Sequence, residues 1–462
     1  MDDRLKATSF RDLPRRVGLF SATLLIVANM VGTGIFTTSG FIAPRLGEAW
    51  LLLLLWLAGG VLALAGALCY AELGARFPRA GGEYVFLREA FGSFPAFLSG
   101  WVSLVVGFSA PIAAAAVAGA GYLLQAWPGL ARPLALAGYS LPAETWLALL
   151  LLGALTALHC LSLGLGLGVQ NVLTLVKLAA LALLAAGGLG AAPAGVAAAV
   201  SPAAGASLAG GVATSLVFVS FAYSGFNAAA YLGEELRRPG RNLPLALLLG
   251  TGLVTLLYLL LNWGYVHALG MAGLVGVREV GAAVAKAAWG PALGGAFSML
   301  VGLCLLSNLG SMIITGPRVY FAMARDRLFF PQLARLSPRS GLPIKAILSQ
   351  ALVAAVLVLT ASFETLLFSI GFILSIFSLL TVAGLMVLRR RAPARSAGFA
   401  TPLYPLTPLV FLAGQAWMII FALADDPRRA WPALGALGLG GMVYWYFQRR
   451  HGRSDPQGDE RS

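Results

Sequence analysis

The sequence predicts an all-α membrane protein with twelve transmembrane helices. Of its 462 residues, 59% are apolar and 11% are charged, and the mean hydropathy is +0.84. A soluble domain is roughly one quarter charged, so this chain has too few polar residues to cover a soluble globule of its size. It is also too hydrophobic for a disordered chain. The composition therefore favours a protein that crosses a membrane many times.

Twelve apolar runs approach the ~20 residues that a helix needs to cross a hydrocarbon core about 30 Å thick. The first run follows a polar segment of sixteen residues and is too long for the core of a signal peptide, so we expect it to remain in the protein. Only Ser362 and Phe363 separate the ninth and tenth runs, which predicts a tight helical hairpin. The predicted spans lie at 17–43, 49–74, 95–124, 145–163, 166–190, 207–236, 244–268, 291–324, 344–362, 364–388, 405–424 and 430–448.

The basic residues behind the net charge of +14 are distributed unevenly over the two sides of the predicted membrane topology. If the spans alternate in direction, 24 of the 32 Lys and Arg residues lie on the side of the N-terminus and six lie on the opposite side. Short cytoplasmic segments carry an excess of basic residues, so both termini are predicted to be cytoplasmic. The basic residues then face an anionic lipid leaflet, and we expect no nucleic-acid partner.

Spans one and six each contain a candidate interruption near the middle. Span one carries Gly32-Thr33-Gly34, and span six carries Ser224-Gly225. A glycine triplet alone is weak, since small residues also let membrane helices pack closely. The two sites are five helices apart, as in transporters built from two repeats whose first helices are broken. Free N–H groups at such a break attract a carboxylate, and free C=O groups attract an ammonium.

Several long motifs resemble the L-type amino acid transporter family of the amino acid–polyamine–organocation superfamily. The resemblance covers about residues 15–390 and rests on GTGIF, ALCYAELGARFPRAGGEYVFLREAFG, VQNVLTLVKLAALAL, FAYSGFNAAAYLGEELRRPGRNLPLA and GPRVYFAMARDRLFFPQL. It implies a leucine-transporter-like fold with two inverted five-helix repeats and two further C-terminal helices. The implied units are a cytoplasmic segment at 1–16, repeats at 17–190 and 207–388, a helix pair at 405–448, and a cytoplasmic tail at 449–462.

The resemblance also implies an amino acid site at the two interruptions. Backbone N–H groups of the Gly32-Thr33-Gly34 segment would bind the substrate carboxylate. Backbone carbonyls near Met30 in span one and near Phe221, Ala222 and Ser224 in span six would bind the α-ammonium. These main-chain contacts are common to all α-amino acids, so selectivity would rest with the pocket around the side chain.

Three residues of span six are candidates for that pocket and its support. Ser224 and Gly225 are small and leave room for a substrate side chain, and Phe221 is a candidate aromatic gate. Asn227 matches an asparagine that supports the unwound segment in the resembling family. The alternative for Asn227 is a buried amide that bonds to neighbouring backbone.

Lys177 lies near the middle of span five, where a lysine costs on the order of 2.5–3.5 kcal/mol to insert. Some partner or function must offset that cost. The resembling family places a lysine here, where sodium-coupled relatives hold a sodium ion, so the amine would replace the ion. Proton coupling through Lys177 and a structural role, capping the free carbonyls of span one, are the alternatives.

Charged residues at the ends of spans two and six allow two interpretations. Glu72 lies beside Arg76 and Arg79, and Glu234 and Glu235 precede Arg237, Arg238 and Arg241. They are either ion pairs near a gate or ordinary charges at helix ends. Arg318, near the end of span eight, is predicted to extend its side chain towards the membrane surface.

Candidate residues for enzyme chemistry are sparse. None of the three histidines, His159, His267 and His451, has a second ligand at metal-binding spacing, and no nucleophile elbow or phosphate-binding loop is present. We therefore expect that the protein is not an enzyme and that it binds neither a metal nor a cofactor. The three cysteines lie in apolar stretches, which does not favour a disulfide framework.

These expectations combine into one functional hypothesis. The resemblance implies a sodium-independent carrier that exchanges L-amino acids across a bacterial inner membrane by alternating access. Neutral substrates are favoured because no acidic residue lies near the middle of span one or six. The loop after span three has no cysteine, so a disulfide-linked heavy subunit is not expected. The alternatives are a proton-coupled amino acid or amine symporter and, in a different class, a membrane sensor of amino acids or an enzyme.

Overall fold

A computed structural model describes residues 13–136, 139–194, 208–360, 363–392, 398–425 and 431–451. Most of the predicted N-terminal segment 1–16, the tail beyond residue 451 and the turn at 361–362 between spans nine and ten lie outside these residues. The α-helices of the described residues are α1 (Leu19–Met30), α2 (Gly34–Leu46), α3 (Ala49–Arg76), α4 (Glu83–Phe91), α5 (Ser93–Val102), α6 (Ser109–Ala126), α7 (Ala143–Leu161), α8 (Leu163–Gly190), α9 (Leu208–Ala222), α10 (Pro239–Leu274), α11 (Val280–Trp289), α12 (Pro291–Thr315), α13 (Pro317–Arg325), α14 (Ile344–Thr360), α15 (Phe363–Arg391), α16 (Leu406–Asp425) and α17 (Trp431–His451).

The predicted all-α class is confirmed, and the helices follow the apolar runs of the sequence. Eight helical segments are long and apolar enough to cross a membrane, and they coincide with predicted spans one to five, seven, eight and ten. Shorter apolar helices cover predicted spans six, nine and eleven. Predicted span twelve corresponds to α17, a helix of 21 residues.

Several elements depart from straight spans. Predicted span three changes to a π-helical turn at Ser103–Gly107, between α5 and α6. Predicted span eight divides at Gly316, where Pro317 begins α13, since proline is favoured at the first turn of a helix. The amphipathic helices α4 and α11 and a short antiparallel hairpin, β1 (Leu134–Leu136) with β2 (Tyr139–Leu141), lie between the spans.

Helix α10 is the structural support on which the two interrupted spans rest. It packs along α3, α8 and α1, and its contact side is made of buried residues that include Leu247, Val254, Tyr258 and Leu261. Helix α2 packs against α9, so the second half of span one lies beside the first half of span six. This arrangement brings the two interruptions together at the centre of the bundle.

Candidate functional site

The first interruption separates α1 from α2 at Val31–Thr33. Val31 has φ −81° and ψ 85°, outside the helical region, and α-helix resumes at Gly34. In the backbone bonding of the described residues, the N–H groups of Thr33 and Gly34 have no carbonyl partner. They belong to the first turn of α2, so they point out of the helix end that carries positive partial charge. The break therefore offers free donors to a carboxylate.

The second interruption follows α9 and is longer. Residues 223–227 form turns, with Gly225 at φ +91°, and a 3₁₀ turn covers Ala228–Tyr231. The left-handed backbone at Gly225 suits glycine because it has no Cβ. The two predicted breaks, at Gly32-Thr33-Gly34 and at Ser224-Gly225, are thus both confirmed.

The two interruptions touch each other through glycines. A Cβ placed on Gly34 would lie 2.7 Å from the Cβ of Ala222, and one placed on Gly225 would lie 3.0 Å from the carbonyl carbon of Asn29. Each break therefore packs its glycine against the last residues of the helix that precedes the other break. Any larger residue at Gly34 or Gly225 would push the two backbones apart.

A cavity of about 740 Å³, including its open mouth, lies against the two interruptions. All nine residues predicted to bind substrate line it: Met30, Gly32, Thr33, Gly34, Phe221, Ala222, Ser224, Gly225 and Asn227. The opposite walls, which the sequence analysis missed, come from α6, α12 and α15 and the π-helical turn, with Phe108, Pro111, Ala114, Ala115, Asn308, Met312 and Leu374 among their residues.

Comparison with known proteins agrees with this geometry. The profile of the family described as amino acid permease matches residues 17–436. The chain belongs to that family. The resemblance predicted from the motifs, to amino acid transporters of the amino acid–polyamine–organocation superfamily, is confirmed, and the protein is a transporter rather than an enzyme.

Three relatives show the range of this family. Large neutral amino acids transporter small subunit 2 of Mus musculus is 31% identical over 95% of this chain and 82% of its own length. b(0,+)-type amino acid transporter 1 of Mus musculus is 28% identical over 96% of this chain and 89% of its own length. Serine/threonine exchanger SteT of Bacillus subtilis is 27% identical over 96% of this chain and 99% of its own length.

Lys177 of the permease reaches the first interruption from α8. Its side chain is fully buried, and its Nζ donates to the carbonyl oxygens of Val31 at 2.6 Å and of Ala28 at 3.2 Å. Asn308 on α12 adds hydrogen bonds from Nδ2 to the carbonyls of Ala28 and Asn29. The amine and the amide therefore occupy the carbonyls of Ala28, Asn29 and Val31 at the break.

Asn227 reaches a different partner at the second interruption. Its Nδ2 donates to Glu83 Oε1 at 2.9 Å and to the Tyr231 hydroxyl at 3.3 Å. Its amide thus bonds to side chains, and the predicted alternative of bonds to neighbouring backbone is wrong. The hydroxyls of Tyr70 and Ser378 also donate to Glu83 Oε1.

Glu83 lies on α4, between predicted spans two and three, and is buried. Burial raises its pKa to about 7, against the opposing effect of the hydrogen bonds from Tyr70, Asn227 and Ser378. The second interruption therefore rests on a carboxyl group whose charge changes near neutral pH. The motif GGEY contains this residue, but nothing in the local sequence connects it with Asn227.

The chain after the second interruption closes the end of the bundle at which α1 begins. Val17 N–H donates to the Glu235 carbonyl and Arg237 N–H donates to the Val17 carbonyl, both at 2.9 Å. Arg318 donates two hydrogen bonds to the Glu235 carboxylate, and both side chains are buried. The prediction that Arg318 extends towards the membrane surface is therefore wrong, because a carboxylate lies within reach inside the bundle.

Glu234, next to Glu235 in the chain, also accepts hydrogen bonds at this end of the bundle. The Arg325 guanidinium donates to both of its oxygens, and the Leu13 N–H donates to Oε1 at 2.8 Å. Of the two predicted interpretations, Glu234 and Glu235 form ion pairs, with Arg325 and Arg318 as partners rather than the nearby Arg237, Arg238 and Arg241.

Proposed function

We propose that the permease exchanges neutral L-amino acids across the membrane, independently of sodium, by alternating access. The paired interruptions support this proposal most directly. The free N–H groups of Thr33 and Gly34 suit a carboxylate, and the carbonyl ends of α1 and α9 suit an ammonium. A group of each sign in one cavity matches the two charges of an amino acid.

The occupied carbonyls at the first interruption support sodium independence. Lys177 places an amine between the Ala28 and Val31 carbonyls, where carbonyl oxygens would otherwise be ligands for a cation. The structure equally suits the structural alternative, in which the lysine only caps these carbonyls. In both cases a sodium ion has no free position between the two oxygens.

The composition of the cavity wall supports neutral substrates. Among the described residues that line it, none carries a charge, and the wall opposite the interruptions consists mainly of apolar side chains. A charged substrate side chain would be buried there without an ionic partner, which is costly. Ser224 and Gly225 keep the pocket open beside the break, and half-buried Phe221 is the candidate aromatic gate.

The wider architecture belongs to the same proposal. It has twelve crossings, with inverted repeats at 17–190 and 207–388 and a helix pair at 405–448. The distribution of Lys and Arg favours an orientation with both termini in the cytoplasm. A plasma-membrane location accords with the relative from Bacillus subtilis. The loop at 125–144 contains no cysteine, so we propose that the permease acts without a disulfide-linked heavy subunit.

Exchange in proteoliposomes tests the function. The purified permease is reconstituted with unlabelled L-serine or L-leucine inside, and uptake of the labelled amino acid is measured with sodium or choline outside. We expect uptake to need internal amino acid and to be equal in both salts. Uptake driven by a pH gradient into empty liposomes would instead support the proton-coupled symporter, and a requirement for sodium would overturn the role given to Lys177.

A further inference from the structure

Glu83 lies where α3, α4 and α15 meet the second interruption. It is the first residue of α4 and is 3% exposed. Three donors from three other elements converge on its Oε1 atom. They are the hydroxyl of Tyr70 on α3, the amide of Asn227 at 2.9 Å and the hydroxyl of Ser378 on α15 at 3.5 Å. Asn227 also lines the cavity. One carboxyl oxygen therefore connects a wall of the candidate site with two helices outside it.

No cation balances this carboxyl group. Among the described residues Glu83 forms no ion pair, and the titratable groups that face it are the phenols of Tyr70 and Tyr231. Helices α5, α13 and α15 pack on α4, and α5 contains no titratable residue. The other titratable side chains described on α4, α13 and α15 are exposed, as Arg390 and Arg391 are, or have partners elsewhere: Tyr84 and Arg88 with Asp326, Glu89 with Arg79, Arg318 with Glu235, Tyr320 with the Ser103 carbonyl, Arg325 with Glu234 and Arg389 with Glu72. Uptake of a proton by Glu83 therefore breaks no ion pair.

We propose that Glu83 is a proton-binding site that controls substrate affinity by positioning Asn227 at the second interruption. The proposal rests on the proposed amino acid exchange and adds the proton as a second ligand coupled to the same site. Burial raises the pKa of Glu83 to about 7, so both forms of the carboxyl group are present near neutral pH.

The two forms of the carboxyl group hold Asn227 with different strength. An ionised carboxylate only accepts hydrogen bonds, and these are about twice as strong as hydrogen bonds between neutral groups. Three donors on one oxygen suit this form. The neutral acid accepts more weakly, so it holds the Asn227 amide less firmly and leaves the turn more freedom. Substrate then has to order the turn when it binds, which lowers affinity.

The proton and the amino acid should therefore oppose each other, although they bind different atoms. Two ligands that change each other's affinity do so reciprocally. Since loss of the proton strengthens substrate binding, substrate binding must favour loss of the proton. At a pH near the Glu83 pKa of about 7, binding of an amino acid should thus release part of a proton.

The expected effect is a change of KM with pH. In the wild type, the KM for L-serine and for L-leucine should fall about three- to tenfold between about pH 5.5 and about pH 8.5, because the ionised form holds the turn. Glu83→Gln is neutral at every pH and should keep the higher KM throughout. A residue that only stabilises the fold would lower the amount of active transporter and leave the pH profile of KM unchanged.

Tyr70→Phe should move the same profile without removing the carboxyl group. The Tyr70 ring packs edge to face against Phe86 and Phe226, with 6.0 Å and 5.4 Å between ring centroids, so it keeps its place without the hydroxyl. Loss of this donor destabilises the ionised form of Glu83 and raises the pKa of its carboxyl group. The fall in KM should therefore occur at higher pH than in the wild type.

Glu89→Gln is the matched control. Glu89 lies on the same helix, but its carboxylate pairs with Arg79 at 3.5 Å near the surface. The same chemical change at this position should leave the pH profile of KM as in the wild type.

The experiment measures exchange of labelled L-serine and L-leucine by the wild type and the three variants in proteoliposomes, with equal pH on both sides. Calorimetry of L-serine binding in two buffers of different ionisation enthalpy gives the protons released. A pH-dependent KM and proton release that are lost in Glu83→Gln and shifted to higher pH in Tyr70→Phe support the proposal. A KM independent of pH in the wild type, or the wild-type profile in Glu83→Gln, overturns it.

Two further outcomes are decisive. If Glu83→Gln does not fold, the profile of Tyr70→Phe decides, and an unshifted profile overturns the proposal. If the wild type exchanges no amino acid at any pH, the proposed function fails instead.

Discussion

The two interruptions of the permease are similar in position but differ in what stabilises them. The first is short, and the amine of Lys177 and the amide of Asn308 occupy its free carbonyls. The second is longer, has a left-handed glycine, and rests through Asn227 on the carboxyl group of Glu83. A basic side chain thus supports one break and an acidic side chain supports the other.

This difference shows that a break in a membrane helix must be stabilised in two ways, at its free backbone carbonyls and at the side chains of its turn. Free carbonyls need donors, which Lys177 and Asn308 supply to the first break. A long turn needs its side chains held in place, which the hydrogen bonds of Glu83 do for the second. We expect the support of the second break to respond to pH.

The largest effect is expected at the first break. Lys177→Ala removes both hydrogen bonds to the Ala28 and Val31 carbonyls and leaves a cavity, which together should cost about 4 kcal/mol or more. Exchange of L-serine in proteoliposomes should fall at least a hundredfold. Lys177→Met, which keeps the volume without the donor, should be almost as defective, whereas Lys286→Ala at an exposed lysine should be normal. Normal exchange by Lys177→Met would show that the amine is not needed.

The ion pair of Glu235 with Arg318, which follows the second break in the chain, should be nearly as important for stability. Glu235→Gln leaves the buried guanidinium of Arg318 without its anionic partner, and loss of one member of a buried ion pair costs about 3–5 kcal/mol. Thermal unfolding in detergent would show this loss as a large fall in melting temperature. Glu89→Gln, which breaks the partly exposed pair with Arg79, should change stability by less than about 1 kcal/mol. Equal effects of the two variants would contradict the role given to Glu235.

The support of the second break should depend on pH. The unfolded chain releases the Glu83 proton near pH 4.5, but the folded protein keeps it up to about pH 7. Stability should therefore fall as pH rises from about 4.5 to 7, by about 3 kcal/mol, and then level off. Glu83→Gln removes this contribution, so its unfolding profile should be flatter than that of the wild type over this range. Two parallel profiles would exclude the titration of Glu83.

The contact between the breaks should give the smallest of these effects on stability. Gly34→Ala places a methyl group 2.7 Å from the Cβ of Ala222, and overpacking of this kind costs about 1–3 kcal/mol. We expect a clear rise in the KM for L-serine, because the two halves of the site move apart. Gly168→Ala is the control, since a Cβ there meets no atom within 4 Å. Wild-type KM in Gly34→Ala would show that the breaks tolerate separation.

The sequence by itself determined the helical class, the order of the spans and the positions of both interruptions. Apolar runs of membrane-spanning length form helices because the bilayer leaves their backbone groups no other partners. Glycine and serine in the middle of such runs permit a break, so Gly32, Gly34, Ser224 and Gly225 could be identified from composition and position alone. The resemblance to amino acid transporters supplied the remaining site residues, and all nine line one cavity.

Only the tertiary structure decided which side chains support those interruptions. Tyr258 meets Met30 from 228 positions away, Glu83 meets Asn227 from 144 and Lys177 meets Val31 from 146. Arg318 finds Glu235 inside the bundle, although the sequence offered nearer arginines to that carboxylate. The periodicity of a helix shows that one of its faces is buried, but the neighbour of that face is set by how the helices pack. Hydrogen bonds act over about 3 Å, so their partners are fixed only when that packing is complete.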